Sequence, residues 1–268
     1  MKTRAAVLYE MGAKKPYKES KPLKIEYLEL DDPSEHEVLI KIHAAGLCHS
    51  DLSVINGNRP RPLPMALGHE ASGEVIKVGK AVTRVSEGDH VVCTFIPSCG
   101  KCIPCKEGRP ALCENGAISN EKGEMLEGGV RLSNDEGKVY HHLGISGFAE
   151  YSVVSENSIV KIDKKIPFER AAAFGCAIIT GIGAVVNTAQ IRSGSNVAVV
   201  GLGGIGLNAI IGAKLAGANE IIALDINEDK FELAKQFGAT ATFNSSDKDI
   251  DEQIKEYIPG GVEYARSE

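Results

Sequence analysis

The chain has 268 residues, of which 43% are apolar and 25% are charged, and its formal net charge is −6. This length buries a sizeable core and favours about two domains. An acidic chain without a basic stripe is a poor candidate for nucleic-acid binding, and no apolar run is long and uninterrupted enough to predict a signal peptide or a membrane span. We therefore expect a cytoplasmic protein with neither nucleic acid nor membrane as a partner.

The first part of the chain, to about residue 165, is predicted to be rich in β-strands. Short apolar runs broken by charge lie at 38–42 and 74–78, and glycines punctuate this region. Several short strands with turn signals favour a small barrel or sandwich. Cys93 lies in another strand pattern, VVCTF, and is expected to pack as a small apolar side chain.

Four of the seven cysteines fall within the segment CGKCIPCKEGRPALC, residues 99–113. Inside cells, clustered cysteines bind metal more often than they form disulfides. Four thiolates form a closed tetrahedral shell that suits a structural zinc. The spacing therefore predicts one zinc held by Cys99, Cys102, Cys105 and Cys113. An iron–sulfur cluster and four free surface thiols are the alternatives.

The next stretch, from Asn115 to about Gly147, is polar and contains several glycines. It is expected to be an inserted loop, and the pair His141 and His142 within it is given no role. From Pro167 the character changes, because a helical stretch begins near Glu169 and strands then alternate with helices. The predicted strands are 196–200, 221–225, 240–243 and 262–265.

The strongest local signal in the second part is GLGGIG at 201–206, between a buried-strand pattern and an apolar helix. In such a turn Gly201 permits the tight bend, Gly203 lets the backbone approach a pyrophosphate, and Gly206 packs helix against strand. Asp225 ends the next strand, nineteen residues after Gly206, where it can accept hydrogen bonds from a ribose. The alternative is a glycine-rich turn without a ligand.

Taken together, the motifs resemble the zinc-dependent alcohol dehydrogenases of the medium-chain dehydrogenase/reductase superfamily. The resemblance covers essentially the whole chain, and it rests on GLCHSD at 46–51, GHE at 68–70, the four-cysteine segment, GFAEY at 147–151, FGCAIITGIGA at 174–184, GLGGIG and LDINEDK at 224–230. It implies a GroES-like β-barrel catalytic domain over 1–165 and an NAD-binding Rossmann domain over 166–268, with the active site in the cleft between them. The implied fold class is α/β plus β.

The resemblance also implies two zinc ions per chain, NAD, and a small-molecule alcohol or aldehyde as substrate. The second, catalytic zinc is implied at Cys48, His69 and Cys176, with Glu70 beside it as an occasional ligand. Ser50 matches the hydroxyl that takes the alcohol proton, and Ser53 stands where the family often continues the relay with a histidine. Phe95 matches a substrate-pocket position. The cofactor positions implied are His49, Thr180, Gly201, Leu202, Gly203, Gly204, Ile205, Gly206, Asp225 and Lys230.

The sequence ends three residues after the fourth predicted strand, whereas a Rossmann domain has six strands in two halves. We therefore expect an incomplete Rossmann domain and an incomplete family member. Homo-oligomers are expected of the full-length family rather than of this chain. Three functions stay open: an NAD-dependent alcohol dehydrogenase, an S-(hydroxymethyl)glutathione dehydrogenase, and a zinc-binding fragment without turnover. A polyol dehydrogenase fits less well because the four-cysteine segment is complete.

Overall fold

The computed structural model describes residues 1 to 267, and these divide into two compact units, Met1–Cys176 and a second unit that begins at Ala177. The strands of the first unit are β1 Lys2–Leu8, β2 Leu23–Leu30, β3 Glu37–Gly46, β4 Met65–Ala66, β5 Glu70–Val78, β6 His90–Cys93, β7 Leu132–Asn134, β8 Gly137–His141, β9 Tyr151–Ser155 and β10 Ile159–Lys161. Its helices are α1 Tyr17–Ser20, α2 His49–Ile55, α3 Ile103–Lys106, α4 Glu114–Lys122 and α5 Phe168–Ala171.

The strands of the first unit form a closed barrel in the order β1-β2-β7-β8-β4 and a five-stranded sheet in the order β10-β6-β5-β3-β9. Strand β3 contributes side chains to two separate apolar cores. Val38 and Ile40 pack into one apolar cluster and Leu39, between them, into the other, because successive side chains of a strand point to opposite faces. Cys93 is fully buried, as expected from its strand pattern, and burial raises the pKa of its thiol to about 12.

One expectation for this unit is wrong: residues 115–147 are not an inserted loop. They contain most of helix α4 together with β7 and β8, two strands of the closed barrel. Strand β7 pairs with β2 and strand β8 pairs with β4. The strands are three and five residues long and carry polar residues, so their apolar alternation is too short to detect in the sequence.

The second unit is built on a parallel sheet with helices. Its elements are α6 Ala177–Gly183, β11 Val197–Val200, α7 Gly204–Leu215, β12 Ile221–Asp225, α8 Phe231–Phe237, β13 Ala241–Asn244, α9 Ile250–Tyr257 and β14 Tyr264–Ser267. The described strands lie in the order β13-β12-β11-β14, all parallel. Alternate residues of β12 enter two different apolar clusters, so both faces of the sheet are covered. This is the doubly wound arrangement of a Rossmann fold, and the expected fold class is confirmed.

Within the described residues no single helix is long and apolar enough to cross a membrane. One pair of consecutive helices, Phe168–Gly175 and Ala177–Ala189, meets the length and composition criteria only when the two are taken together across a bend.

A buried ion pair links the two sheets of the first unit. Glu37, the first residue of β3, accepts hydrogen bonds from Arg131, which directly precedes β7, at 2.7 Å from Nε and 2.8 Å from Nη2. The Glu37 side chain is almost completely buried, and the Arg131 side chain is mostly buried. Such a bidentate pair fixes the angle between its two elements.

We predict that Arg131→Gln lowers the free energy of unfolding by about 3 kcal/mol, because it leaves the Glu37 carboxylate buried without its cation. The control is Lys77→Gln, which removes an exposed ion pair to Asp32 and should cost less than about 1 kcal/mol. Urea denaturation of both variants checks the difference. Equal losses would show that the buried pair does not link the sheets as described.

Candidate metal centres and cofactor site

The four clustered cysteines converge in the segment between β6 and α4. The sulfur atoms of Cys99, Cys102, Cys105 and Cys113 all lie within 4.8 Å of one another. The Sγ atoms of Cys102 and Cys113 are 3.9 Å apart. Tetrahedral zinc with bonds of about 2.3 Å requires sulfur atoms about 3.8 Å apart, so the separation of Cys102 and Cys113 fits a shared zinc ion.

Amide groups around this cluster point at its sulfur atoms. Cys99 Sγ accepts from the Cys102 amide at 3.4 Å and from Asn115 Nδ2 at 3.2 Å, and Cys113 Sγ accepts from the Gly116 amide at 3.3 Å. Burial alone would raise the Cys99 pKa, but hydrogen bonds from the Lys101 amide, from Asn115 and from the Cys102 amide lower it to about 6. Burial and the neighbouring thiols raise the Cys105 pKa to about 12. Without a cation the four thiols do not all ionise, and a bound dication removes that restriction.

A second cluster brings together four side chains from distant parts of the chain. The ligand atoms of Cys48, His69, Glu70 and Cys176 all lie within 4.8 Å of one another, and all but Cys48 are buried. Cys48 is the residue before α2, and Glu70 begins β5. The cluster contains the two thiols, one imidazole and one carboxylate that the family resemblance implies.

The ionisation of the two thiols in this cluster is coupled. A hydrogen bond from Cys176, together with one from His69, lowers the Cys48 pKa to about 3, while the Cys48 thiolate, followed by burial, raises the pKa of Cys176. Two adjacent thiolates repel each other, so only one is ionised when no cation is bound. The donor set is therefore one that a divalent metal ion would complete.

A buried carboxylate, Asp51, holds this second cluster together. Its Oδ2 accepts from the Cys48 amide at 3.3 Å, and its Oδ1 accepts from the Gly68 amide at 3.0 Å and lies 3.2 Å from His69 Nδ1. Because Asp51 occupies Nδ1, the other ring nitrogen of His69 is the one available to a metal ion. Burial alone would raise the Asp51 pKa, but the two nearby histidines, His142 and His69, more than offset this, and the pKa is lowered.

The backbone at Gly68 turns His69 toward this cluster. Its φ angle is +95°, a conformation in the left-handed half of φ space that residues with a Cβ rarely adopt. An added Cβ would also lie 2.7 Å from a ring carbon of Phe148. Gly68 is therefore required both for its conformation and for its close packing.

A cavity of about 450 Å³ reaches the second cluster and is lined by Ser50, His69 and Cys176. Phe95, which the resemblance places in the substrate pocket, lines it as well. Leu143 is a further lining residue, and its backbone has the unusual combination of φ 54° and ψ 32° for a residue with a branched side chain. The cavity joins the metal-ligating cluster to space for a small molecule.

Several residues of this region were given no role at the sequence level. Asp51 stands inside the quoted GLCHSD motif, and its place in the first turn of α2 was the only signal for it. His142 is almost fully buried, its Nδ1 lies 3.0 Å from Asp51 Oδ1 without hydrogen-bond geometry, and its ring meets that of His69 edge-on. Its neighbour His141 bonds the Arg131 amide and the Ser146 hydroxyl. No short sequence pattern predicts these contacts, because those of His142 join residues that are far apart in the chain.

In the second unit the GLGGIG turn forms the link between β11 and α7. Gly201 has φ +92° and its amide donates to Leu224 O at 2.8 Å. Gly203 is the N-cap of α7 and offers no side-chain cap, so the first-turn amides at Gly204 and Ile205 have no intrahelical acceptor. Gly206 packs directly on the Gly201 carbonyl. These open amides and the helix dipole make a site for an anion.

Asp225 stands at the carboxyl end of β12, beside this turn. Its carboxylate accepts from the Leu202 amide at 2.7 Å, the Asn227 amide at 2.8 Å and Lys230 Nζ at 2.8 Å. Burial would raise the Asp225 pKa, but these donors lower it, so the group is a fixed anion. The Leu202 side chain packs in the core rather than at the surface of the turn.

The two remaining cofactor positions lie in different units. Thr180 is in α6, next to Gly181, where an added Cβ would lie 2.6 Å from Asn208 Cβ, so that α6 and α7 pack closely. His49 is the first residue of α2, and its Nδ1 lies 3.3 Å from the Ser53 hydroxyl.

Comparison with known families assigns both parts of the chain. Residues 34–164 match the model of the alcohol dehydrogenase GroES-like domain, and residues 204–266 match that of the zinc-binding dehydrogenases. An S-(hydroxymethyl)glutathione dehydrogenase from Synechocystis sp. is 44% identical over an alignment of 268 positions, which covers 99% of this chain and 70% of that protein.

Solved structures agree with this assignment. Benzyl alcohol dehydrogenase from Acinetobacter calcoaceticus has a TM-score of 0.90 and 39% identity, and the match covers 100% of this chain and 70% of that one. A thermostable alcohol dehydrogenase from Pyrobaculum aerophilum, solved with cobalt and zinc bound, has a TM-score of 0.77 and 29% identity, and the match again covers 100% of this chain and 70% of that one. The chain belongs to the zinc-dependent alcohol dehydrogenase family, and the resemblance read from its motifs is confirmed. It is an oxidoreductase of this type, with zinc and a nicotinamide dinucleotide as the cofactors of its class.

We predict that Cys105→Ala lowers the zinc content by one ion per chain and lowers the melting temperature, because three thiolates leave an open site and metal binding is coupled to ordering of this segment. Elemental analysis after gel filtration measures the first effect and calorimetry the second. Cys93→Ala is the control, since Cys93 is buried in an apolar core cluster and belongs to neither ligand group, so its loss should leave the zinc content unchanged. An unchanged zinc content in Cys105→Ala would refute the four-cysteine site.

Proposed function

We propose that this protein catalyses the NAD-dependent oxidation of an alcohol to an aldehyde or ketone, and the reverse reaction. In the forward direction the alcohol carbon loses a hydride to NAD⁺ and the hydroxyl group loses a proton, which gives the carbonyl product, NADH and H⁺. The observation that carries the proposal is the convergence of Cys48, His69 and Cys176, of which His69 and Cys176 line a cavity large enough for a small molecule.

Cys48, His69 and Cys176 would hold the catalytic zinc, and Glu70 lies close enough to act as an alternative ligand. Zinc bound there would supply Lewis-acid chemistry, which lowers the pKa of an alcohol. Three protein ligands leave one position open, as a catalytic site requires and a closed four-cysteine site does not offer. The Cys99, Cys102, Cys105 and Cys113 site is accordingly assigned a structural zinc.

Ser50 lines the same cavity as His69 and is assigned as the hydroxyl that receives the alcohol proton. At Ser53, where the family often has a histidine, the hydroxyl contacts His49 instead. We assign the onward transfer of the proton to Ser53, and we keep His49, which is exposed to solvent, for the cofactor.

The GLGGIG turn, residues 201–206, is assigned to the pyrophosphate of NAD, and Asp225 with Lys230 to the adenosine ribose. Thr180 and His49 complete the assigned cofactor positions. In this arrangement Lys230 fixes the position of the Asp225 carboxylate by a hydrogen bond of 2.8 Å. The residues of the chain thus orient the cofactor, and productive hydride transfer depends on that placement.

A second candidate substrate is S-(hydroxymethyl)glutathione, which is favoured by the 44% identity with a dehydrogenase of that name. A third possibility, a zinc-binding protein without turnover, is separated from both by assay. We place the protein in the cytoplasm, since all seven of its cysteines are free thiols.

We expect the zinc-loaded protein to reduce NAD⁺ in the presence of 1-hexanol or benzyl alcohol, measured as NADH absorbance, and His69→Ala to reduce the rate at least about 100-fold. The matched control is His36→Ala, which removes a half-exposed histidine outside the cavity and should keep the rate. A fully zinc-loaded protein that turns over neither alcohol nor S-(hydroxymethyl)glutathione would contradict the proposal.

We also predict that NAD binds more tightly than NADP, because the Asp225 carboxylate would repel a 2′-phosphate. Asp225→Ser removes that charge, so the ratio of the Kd for NADP to the Kd for NAD should fall at least about 10-fold. Titration calorimetry with both cofactors provides the measurement. Tighter NADP binding by the unmodified protein would contradict the assignment of Asp225.

A further inference from the structure

The cavity beside the second cluster, that of Cys48, His69, Glu70 and Cys176, carries a pair of positive charges. Arg59 and Arg61 line it together with His69 and Cys176. Both arginines lie in the segment between α2 and β4, and this segment is tied back to α2 by the hydrogen bond from the Arg59 amide to Ser53 O, at 2.8 Å. Both arginines therefore belong to the cavity wall, beside the metal-ligating residues His69 and Cys176.

Neither guanidinium has a carboxylate partner within salt-bridge distance among the described residues. The Nε atom of Arg61 is buried and has no hydrogen-bond partner there. Burial lowers the pKa of Arg61, the charge of Arg59 lowers it further, and Glu121 offsets these effects only in part. Elsewhere the same fold pairs its partly buried Arg131 with both oxygens of Glu37. Arg61, which is partly buried, thus lacks the anion that such a cation normally has, and Arg59, which is exposed, adds a second positive charge beside it.

A second, independent group in the cavity also lacks its partner. Asn120, in α4, lines the cavity and is 4% exposed. Its Nδ2 donates to Phe95 O at 2.7 Å, which fixes the orientation of the amide. Its Oδ1 is buried and accepts no hydrogen bond within the described part of the chain. A ligand that supplies an N–H or O–H group would satisfy it.

We propose that the substrate of this site is an alcohol or aldehyde that also carries an anionic group, a carboxylate or a phosphate, which Arg59 and Arg61 bind. This inference rests on the proposed function and names its substrate class. Planar guanidinium groups bind either anion through paired hydrogen bonds. A neutral alcohol leaves the cations unpaired, and a site built for a polar partner discriminates strongly against an analogue that lacks it.

The test compares alcohols of one chain length that differ at the far end: 1,6-hexanediol, 6-hydroxyhexanoate and 6-hydroxyhexyl phosphate. Titration calorimetry of the zinc-loaded protein measures the Kd of each, and NADH formation measures KM and kcat. We expect at least one anionic alcohol to bind at least about 10-fold more tightly than the diol. We expect the difference to appear in KM rather than kcat and to shrink with added salt. Whichever anionic alcohol binds more tightly identifies the anion as carboxylate or phosphate.

Arg61→Gln should remove most of this preference, since it keeps a hydrogen-bonding side chain but not the charge. Arg84→Gln is the matched control, because Arg84 is an exposed arginine that does not line the cavity, and the preference should persist in it. Equal Kd values for the diol and both anionic alcohols, or a preference that survives Arg61→Gln, would overturn this inference while leaving the proposed oxidation intact. An Arg61-dependent preference without oxidation of any alcohol would overturn the proposed function and keep the anion site.

Discussion

The cluster to which we assign the catalytic zinc, here called the catalytic cluster, consists of Cys48, His69, Glu70 and Cys176 and depends on one buried carboxylate. Asp51 accepts from the backbone amide of Cys48 and from that of Gly68, and it orients the ring of His69. In this way it ties the start of α2 to the start of β5, two elements that the chain separates by a long, proline-rich connection. A buried carboxylate with several donors is stable as an anion, so it fixes two metal-ligating side chains at once.

The two candidate metal centres of the first unit are built in contrasting ways. The four-cysteine site is local, because its ligands lie within fifteen residues and their sulfur atoms accept from amides of the same segment. The catalytic cluster is assembled from positions 48, 69, 70 and 176, so it exists only when the barrel and the five-stranded sheet have formed. The geometry of this cluster therefore depends on the folding of the whole first unit. The geometry of the four-cysteine site depends mainly on the ordering of its own short segment.

The sequence predicted most of what is local. The glycine-rich turn between a buried strand and a helix, the four parallel strands around it and the four-cysteine site all follow from short-range patterns, and the strand positions agree to within about two residues. The catalytic ligands came only through the family resemblance, because Cys48 and Cys176 are separated by most of the first unit. Strands β7 and β8 were missed since barrel closure, not apolar alternation, determines them. The sequence also carries no signal for four residues whose roles depend on contacts made only after folding. Three of them line the cavity, Arg59, Arg61 and Asn120, and the fourth, His142, lies beside Asp51.

The most direct test of this account is the zinc affinity of Asp51→Asn, measured by competition with a chelator at each of the two sites. Asparagine keeps the size of the side chain but removes the charge that orients His69. We predict that one zinc is bound about 10- to 100-fold more weakly, while the second, in the four-cysteine site, is retained at its original affinity and serves as the internal control for folding. Unchanged affinity at both sites would contradict the claim that Asp51 holds the catalytic cluster together.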